Sequence, residues 1–153
     1  MTAAALFSGA ALAAAAALAA PPSLQFQRAE DAVKYRQGAL FVLGQHFARI
    51  GAMANGRTPY DAKAAVEHAE VVASLAKLPM DGFVTVSDKV SAARARPEVW
   101  SEAARFKEQN DRFVAESAKL LAAAKTNNID QLKSAFSATA GTCKSCHDGY
   151  RSN

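Results

Sequence analysis

From residue 28 onward the hydrophobic positions of the chain repeat at helical spacing. Between Arg28 and Met53, Val33, Leu40 and Phe47 recur at sevens with Leu43 and Ile50 between them, one apolar stripe of a long amphipathic helix. Ala54-Asn55-Gly56-Arg57-Thr58-Pro59 ends that stripe with turn-forming residues. A second helix is predicted from about Asp61, its N-cap, to Leu78, where Pro79 stops it; Ala65, Val66, Ala69, Val72, Ala73 and Ala76 form its inner face. Residues 79–96 read as an irregular loop, because the strand-like run Phe83-Val84-Thr85-Val86 has no partner strand. Pro97 suits the first turn of a third helix, where its missing N–H is not needed. Trp100, Ala103, Phe106, Phe113, Ser117, Leu120 and Ala124 then track one face as far as Lys125. Asn128, with Gln131 three residues on, opens a fourth helix as a capping box. Ile129, Leu132, Phe136, Ala140, Cys143 and His147 follow at three- and four-residue steps, ending near Tyr150. The expected fold is all-α, an antiparallel four-helix bundle.

The residues before this pattern read as an address. No charged side chain precedes Arg28, and twelve of the first twenty residues are Ala. Such a run is the apolar stretch of a signal peptide, and Ala17-Leu18-Ala19 is the small-x-small pattern of a cleavage site. Residues 1–19 are therefore expected to be removed, leaving 20–153 as the bundle. A basic start is missing, which a true start codon further upstream would explain. The run is long enough to span a bilayer uncleaved, but Ala is too weakly apolar to favour that. The expectation is an exported, periplasmic protein with no membrane attachment after cleavage.

Length and charge narrow the field further. The chain has 153 residues, which fits one domain. Lys and Arg number 18 against 14 Asp and Glu, an excess without any cluster of the kind that binds nucleic acid, so no nucleic-acid partner is expected. The two cysteines exclude a disulfide-scaffolded mini-protein.

Those cysteines lie in Cys143-Lys144-Ser145-Cys146-His147, the attachment signature of c-type haem. On a helix Cys143 and Cys146 point the same way, so both sulfurs reach the vinyl groups on one haem edge. His147 then places an imidazole beneath the ring as an iron ligand. A thioredoxin-like motif should open a helix after a strand, whereas this one closes the last helix. A disulfide across so short a loop adds little stability and leaves His147 unexplained. A zinc site needs a fourth ligand, and His46 and His68 lie on other predicted helices with no matching pair. Only six residues follow His147, so any sixth iron ligand must come from earlier in the chain; Met53, Met80, His46 and His68 are the available side chains.

Glu30 to Gln37, Leu40, Ala95 to Trp100 and Cys143 to Arg151 resemble the cytochrome c′ family, the four-helix-bundle class of c-type cytochromes. The resemblance spans Gln25 to Arg151, and its most specific part is the C-terminal Cys-x-x-Cys-His-x-x-Tyr-Arg. It implies a periplasmic homodimer with one covalent haem c per subunit and a five-coordinate, high-spin iron that binds NO and CO, with links to NO handling and electron transport. Cys143 and Cys146 would carry the thioethers and His147 the iron. Leu40 falls where the family covers the vacant distal face with an apolar side chain. Arg36 and Gln37 match positions near the haem edge, with Arg36 facing a propionate. Arg151 matches a basic residue on the proximal side, and Phe83 an aromatic that closes the distal pocket. Met80 stands where relatives carry an aromatic, Gly149 where Ala is common, and Val-Thr-Val-Ser replaces a more Gly-rich loop.

From these readings Leu40 should crowd bound CO and offer O₂ no hydrogen bond, favouring NO and CO. No distal His or acid is placed to assist O–O cleavage, so an enzyme is not expected. The alternative is a six-coordinate, low-spin electron carrier with a Met or His sixth ligand. Its haem edge near Cys143, with Lys144 beside it, would dock an acidic redox partner. Phe41 and Ala48 face away from the stripe and suit a dimer contact.

Overall fold

Two side chains start helices as the sequence predicts. Asp61 Oδ1 accepts from the Ala64 N–H at 3.0 Å, and Asn128 Oδ1 accepts from the N–H groups of Asp130 and Gln131 at 2.9 and 3.1 Å. They open α2 (Ala62–Leu75) and α5 (Ile129–Tyr150). The first helix, α1, spans Ala29–Ala54, with Glu30 and Asp31 favourably placed in its first turn. It ends at Asn55-Gly56, where Gly56 takes φ 70°. This computed structural model describes residues 26–90 and 93–152, so the expected signal peptide lies outside the described residues.

Three boundaries differ from the expectation. The second helix stops at Leu75 rather than Leu78, and the chain tightens into a 3-10 turn over Leu78–Gly82. Pro79 accounts for this, since it has no N–H to continue the α-helical ladder and restricts the residue before it. A second 3-10 turn follows at Thr85–Lys89, so the connection is less irregular than its composition implied. The third helix is interrupted: α3 covers Glu98–Ser101, Glu102 leaves helical geometry with φ −115° and ψ 37°, and α4 runs Ala103–Ala124. The break lets α3 lie against both α4 and α5.

The long helices α1, α2, α4 and α5 form the bundle, with α1 on α2, α2 on α4, α4 on α5 and α5 on α1. Leu43, Ile50 and Met53 meet Ala65, Ala69, Val72, Leu120, Ala124 and Leu132 in its core. Phe47 and Phe136 stack beside them with ring centroids 4.5 Å apart. Gly51 makes that possible, because a Cβ there would come within 2.7 Å of Phe136 Cζ. Three positions of the predicted faces are not core: Ala103 and His147 are exposed, and Leu40 keeps 39% of its surface open. No described helix is long and apolar enough to cross a membrane.

Candidate haem-attachment site

The final two turns of α5 carry Cys143, Cys146 and His147. Both cysteines are free thiols and half-buried. Burial raises the pKa of Cys143, and burial followed by the neighbouring Cys143 pushes Cys146 up to about 11. At neutral pH both are protonated, unlike the thiolate of a disulfide oxidoreductase. His147 reaches solvent, yet the protein atoms packed against its ring and the charge of Arg151 hold its pKa below the usual histidine value.

This end of α5 is strapped by the segment before α3. The Arg96 N–H donates to the Tyr150 carbonyl at 3.0 Å, and the Ser152 N–H donates to the Arg94 carbonyl at 2.8 Å. Ala95 and Arg151 form an isolated antiparallel bridge. Arg94, Arg96, Arg151 and His147 thereby border one cleft of about 630 Å³ with Asp148 and Ser152. Arg151 and His147 are brought together at this cleft. Lys144, by contrast, is engaged with Asp148 one turn on.

A second cluster forms around Arg36 on α1. Its residue is only 3% exposed. Nη1 donates to the Gly82 carbonyl at 2.5 Å and to Ser87 Oγ at 2.7 Å, and the guanidinium lies 4.5 Å above the Phe83 ring centroid. Burial lowers its pKa, with no acidic side chain among the described residues to offset the cost. Nη2 is buried and has no hydrogen-bond partner. From Phe83 an aromatic path leads to Phe106 at 4.8 Å and on to Tyr150 at 5.1 Å. Arg36 and Phe83 are thus linked through packed rings to the turn of α5 that holds the motif. Leu40 lies one turn beyond Arg36 on α1, and Gln37 is exposed on the same helix.

Sequence reasoning missed the contributions of Gly82 and Ser87. Neither carries a local signal, since each matters through a contact with a side chain on another element. Phe106 and Tyr150 were visible as stripe and motif residues, but their mutual packing was not.

The candidate sixth ligands are placed as follows. Met53 is in the core, 6% exposed. His46 and His68 engage each other, with Nδ1 atoms 3.1 Å apart. Met80 is half-buried in the Leu78–Gly82 turn.

The donor set fits a covalently attached haem. Two protonated thiols and an imidazole share one helix end, and a buried arginine without a carboxylate retains one unpaired donor for an anionic group such as a propionate. Cys143 and Cys146 would hold that group and His147 its iron.

Comparison with known proteins agrees. The family model described as Cytochrome C′ matches residues 31–151. Cytochrome c′ from Rubrivivax gelatinosus is 46% identical over 127 residues, covering 83% of this chain and 98% of the relative. Its crystal structure superposes with a TM-score of 0.81 at 45% identity, covering 84% of this chain and all of the other. A nitric oxide complex of a leucine-to-alanine mutant of cytochrome c′ from Alcaligenes xylosoxidans gives a TM-score of 0.78 at 40% identity, covering 84% of this chain and 99% of the other. A four-helix bundle ending in a haem-attachment motif, matched along nearly all of its described length, belongs to the cytochrome c′ family, whose cofactor is covalently attached haem c.

Proposed function

We propose that this chain is a periplasmic, mono-haem cytochrome with a five-coordinate, high-spin iron that binds NO and CO, acting in NO handling or electron transfer rather than as an enzyme. The observation that carries this reading is that three of the four side chains able to supply a sixth ligand are engaged elsewhere, while the fourth, Met80, sits half-buried in the Leu78–Gly82 turn. Met53 is packed in the core and His46 is paired with His68. The nitric oxide complex of the Alcaligenes xylosoxidans relative supports the choice of ligand. When bound, the haem supplies an iron with one open coordination position.

The side chains then divide the work. Cys143 and Cys146 anchor the group, and His147 supplies the proximal nitrogen with a basicity reduced by burial and by Arg151. Arg36 offers Nη2 to a propionate while Gly82 and Ser87 hold Nη1 in place. Leu40 donates no hydrogen bond, so a ligand that draws negative charge onto itself gains nothing there, whereas NO and CO need no such help. Leu40, Phe41 and Val42 are unusually open for their size, at 39, 67 and 43%. Leu40 keeps apolar surface available to the haem, and Phe41 suits a homodimer contact. Titration of the ferrous haem-loaded protein with CO and with NO tests the reading: both should bind, and failure of both would reject it.

A second reading, outer-sphere electron transfer, draws support from the cleft beside His147. Arg94 and Arg151 there offer an acidic partner more positive charge than Lys144, which pairs with Asp148, or Arg96, which pairs with Glu98 at 2.9 Å.

A further inference from the structure

The sequence contains three histidines, and the fold brings the two outside the haem motif into direct contact. His46 on α1 and His68 on α2 place their Nδ1 atoms 3.1 Å apart, with ring centroids at 5.0 Å and planes at 77°. Both side chains are only partly buried, so the pair is not sealed from solvent.

Without a metal this contact needs a proton on one of the two nitrogens. The same separation suits two ligands of one ion. Nitrogens held about 2.0 Å from a divalent transition metal lie about 2.8 Å apart at a right angle and about 3.3 Å apart at the tetrahedral angle. An ion replacing the shared proton would keep both rings near where they stand. The surrounding charges divide. Arg49 opposes a cation, but its Nη1 is turned back onto the Gln45 carbonyl at 2.9 Å; Glu67, next to His68 and 3.9 Å from Lys63, favours one.

We propose that His46 and His68 form a two-imidazole site for a divalent transition-metal ion, filled best by Cu²⁺, with water completing the coordination and the ion clamping α1 to α2. Cu²⁺ heads the stability order for nitrogen ligands, and two imidazoles alone give a site of modest affinity. The site is separate from the haem, whose own ligands come from α5.

The test titrates Cu²⁺ into the ferric haem-loaded protein, followed by calorimetry and by the copper EPR signal. One Cu²⁺ per chain with two nitrogen donors is expected. Affinity should fall at least tenfold in His46→Gln and in His68→Gln, with the haem spectrum unchanged. Copper should raise the melting temperature of the wild type but of neither variant. The double variant reports binding by the chain's amino terminus, and far-UV circular dichroism confirms that the variants fold. Copper with fewer than two nitrogen donors, or affinity that the substitutions leave within twofold of wild type, overturns the proposal and leaves a hydrogen-bonded pair.

Discussion

Arg36 Nη1 meets the Gly82 carbonyl at 2.5 Å across 46 residues of sequence, and the absence of a side chain at Gly82 permits the approach. A Cβ at that position would lie 2.6 Å from the Ala32 carbonyl oxygen and 2.8 Å from Arg36 Cβ. The first contact is with backbone of α1, which cannot rotate away. Gly82→Ala should therefore destabilise the protein by roughly 1–3 kcal/mol, read as a lower urea midpoint at unchanged slope. A stability equal to wild type would mean that the turn shifts freely and does not position Arg36.

Arg36 distinguishes the haem-free and haem-loaded proteins. In the haem-free chain its charge is buried without an acidic partner, so exchanging it for Met removes an expense along with two hydrogen bonds. In the loaded protein, on the proposed reading, the exchange would also remove a donor to a propionate. Arg36→Met should cost the loaded form about 1–3 kcal/mol more than the haem-free form, measured by denaturant unfolding of each. Equal losses would place the propionate elsewhere.

Asn128 provides a purely structural control. Its side chain satisfies two N–H groups at the start of α5, far along the helix from the motif. Asn128→Ala should cost about 1 kcal/mol and leave the haem spectrum as it was. A changed spectrum would show that the ends of α5 are coupled.

In the proposed function Leu40 is the side chain that covers the gas site. Shortening it removes bulk from the face where CO would sit and adds no polar group. Leu40→Ala should raise CO affinity about tenfold, equivalent to about 1.4 kcal/mol, by equilibrium titration of the ferrous protein. An unchanged or lower affinity would remove the steric role assigned to this side chain.

What could be read from sequence was what acts locally. Asp61 and Asn128 announce their helices because a cap bonds to N–H groups two or three residues away. The motif on α5 is similarly self-contained. Glu102 gave no sign of its break, since the stripe from Trp100 to Phe106 continues through it, and α3 bends to pack on two helices at once. Ser87 looked like one polar residue in a loop, yet it is fully buried against Arg36. His46 and His68 looked unrelated because their contact depends on the register between α1 and α2, which hydrophobic periodicity does not set.

A haem held by Cys143, Cys146 and His147 with its sixth position open has its own spectroscopic signature. The most direct measurement is the EPR and absorption spectrum of the purified ferric protein, repeated in the ferrous state with and without NO. The expected result is a high-spin, five-coordinate signature that changes on NO addition. A low-spin, six-coordinate spectrum indifferent to NO would contradict it, and would mean that Met80 or a histidine occupies the iron.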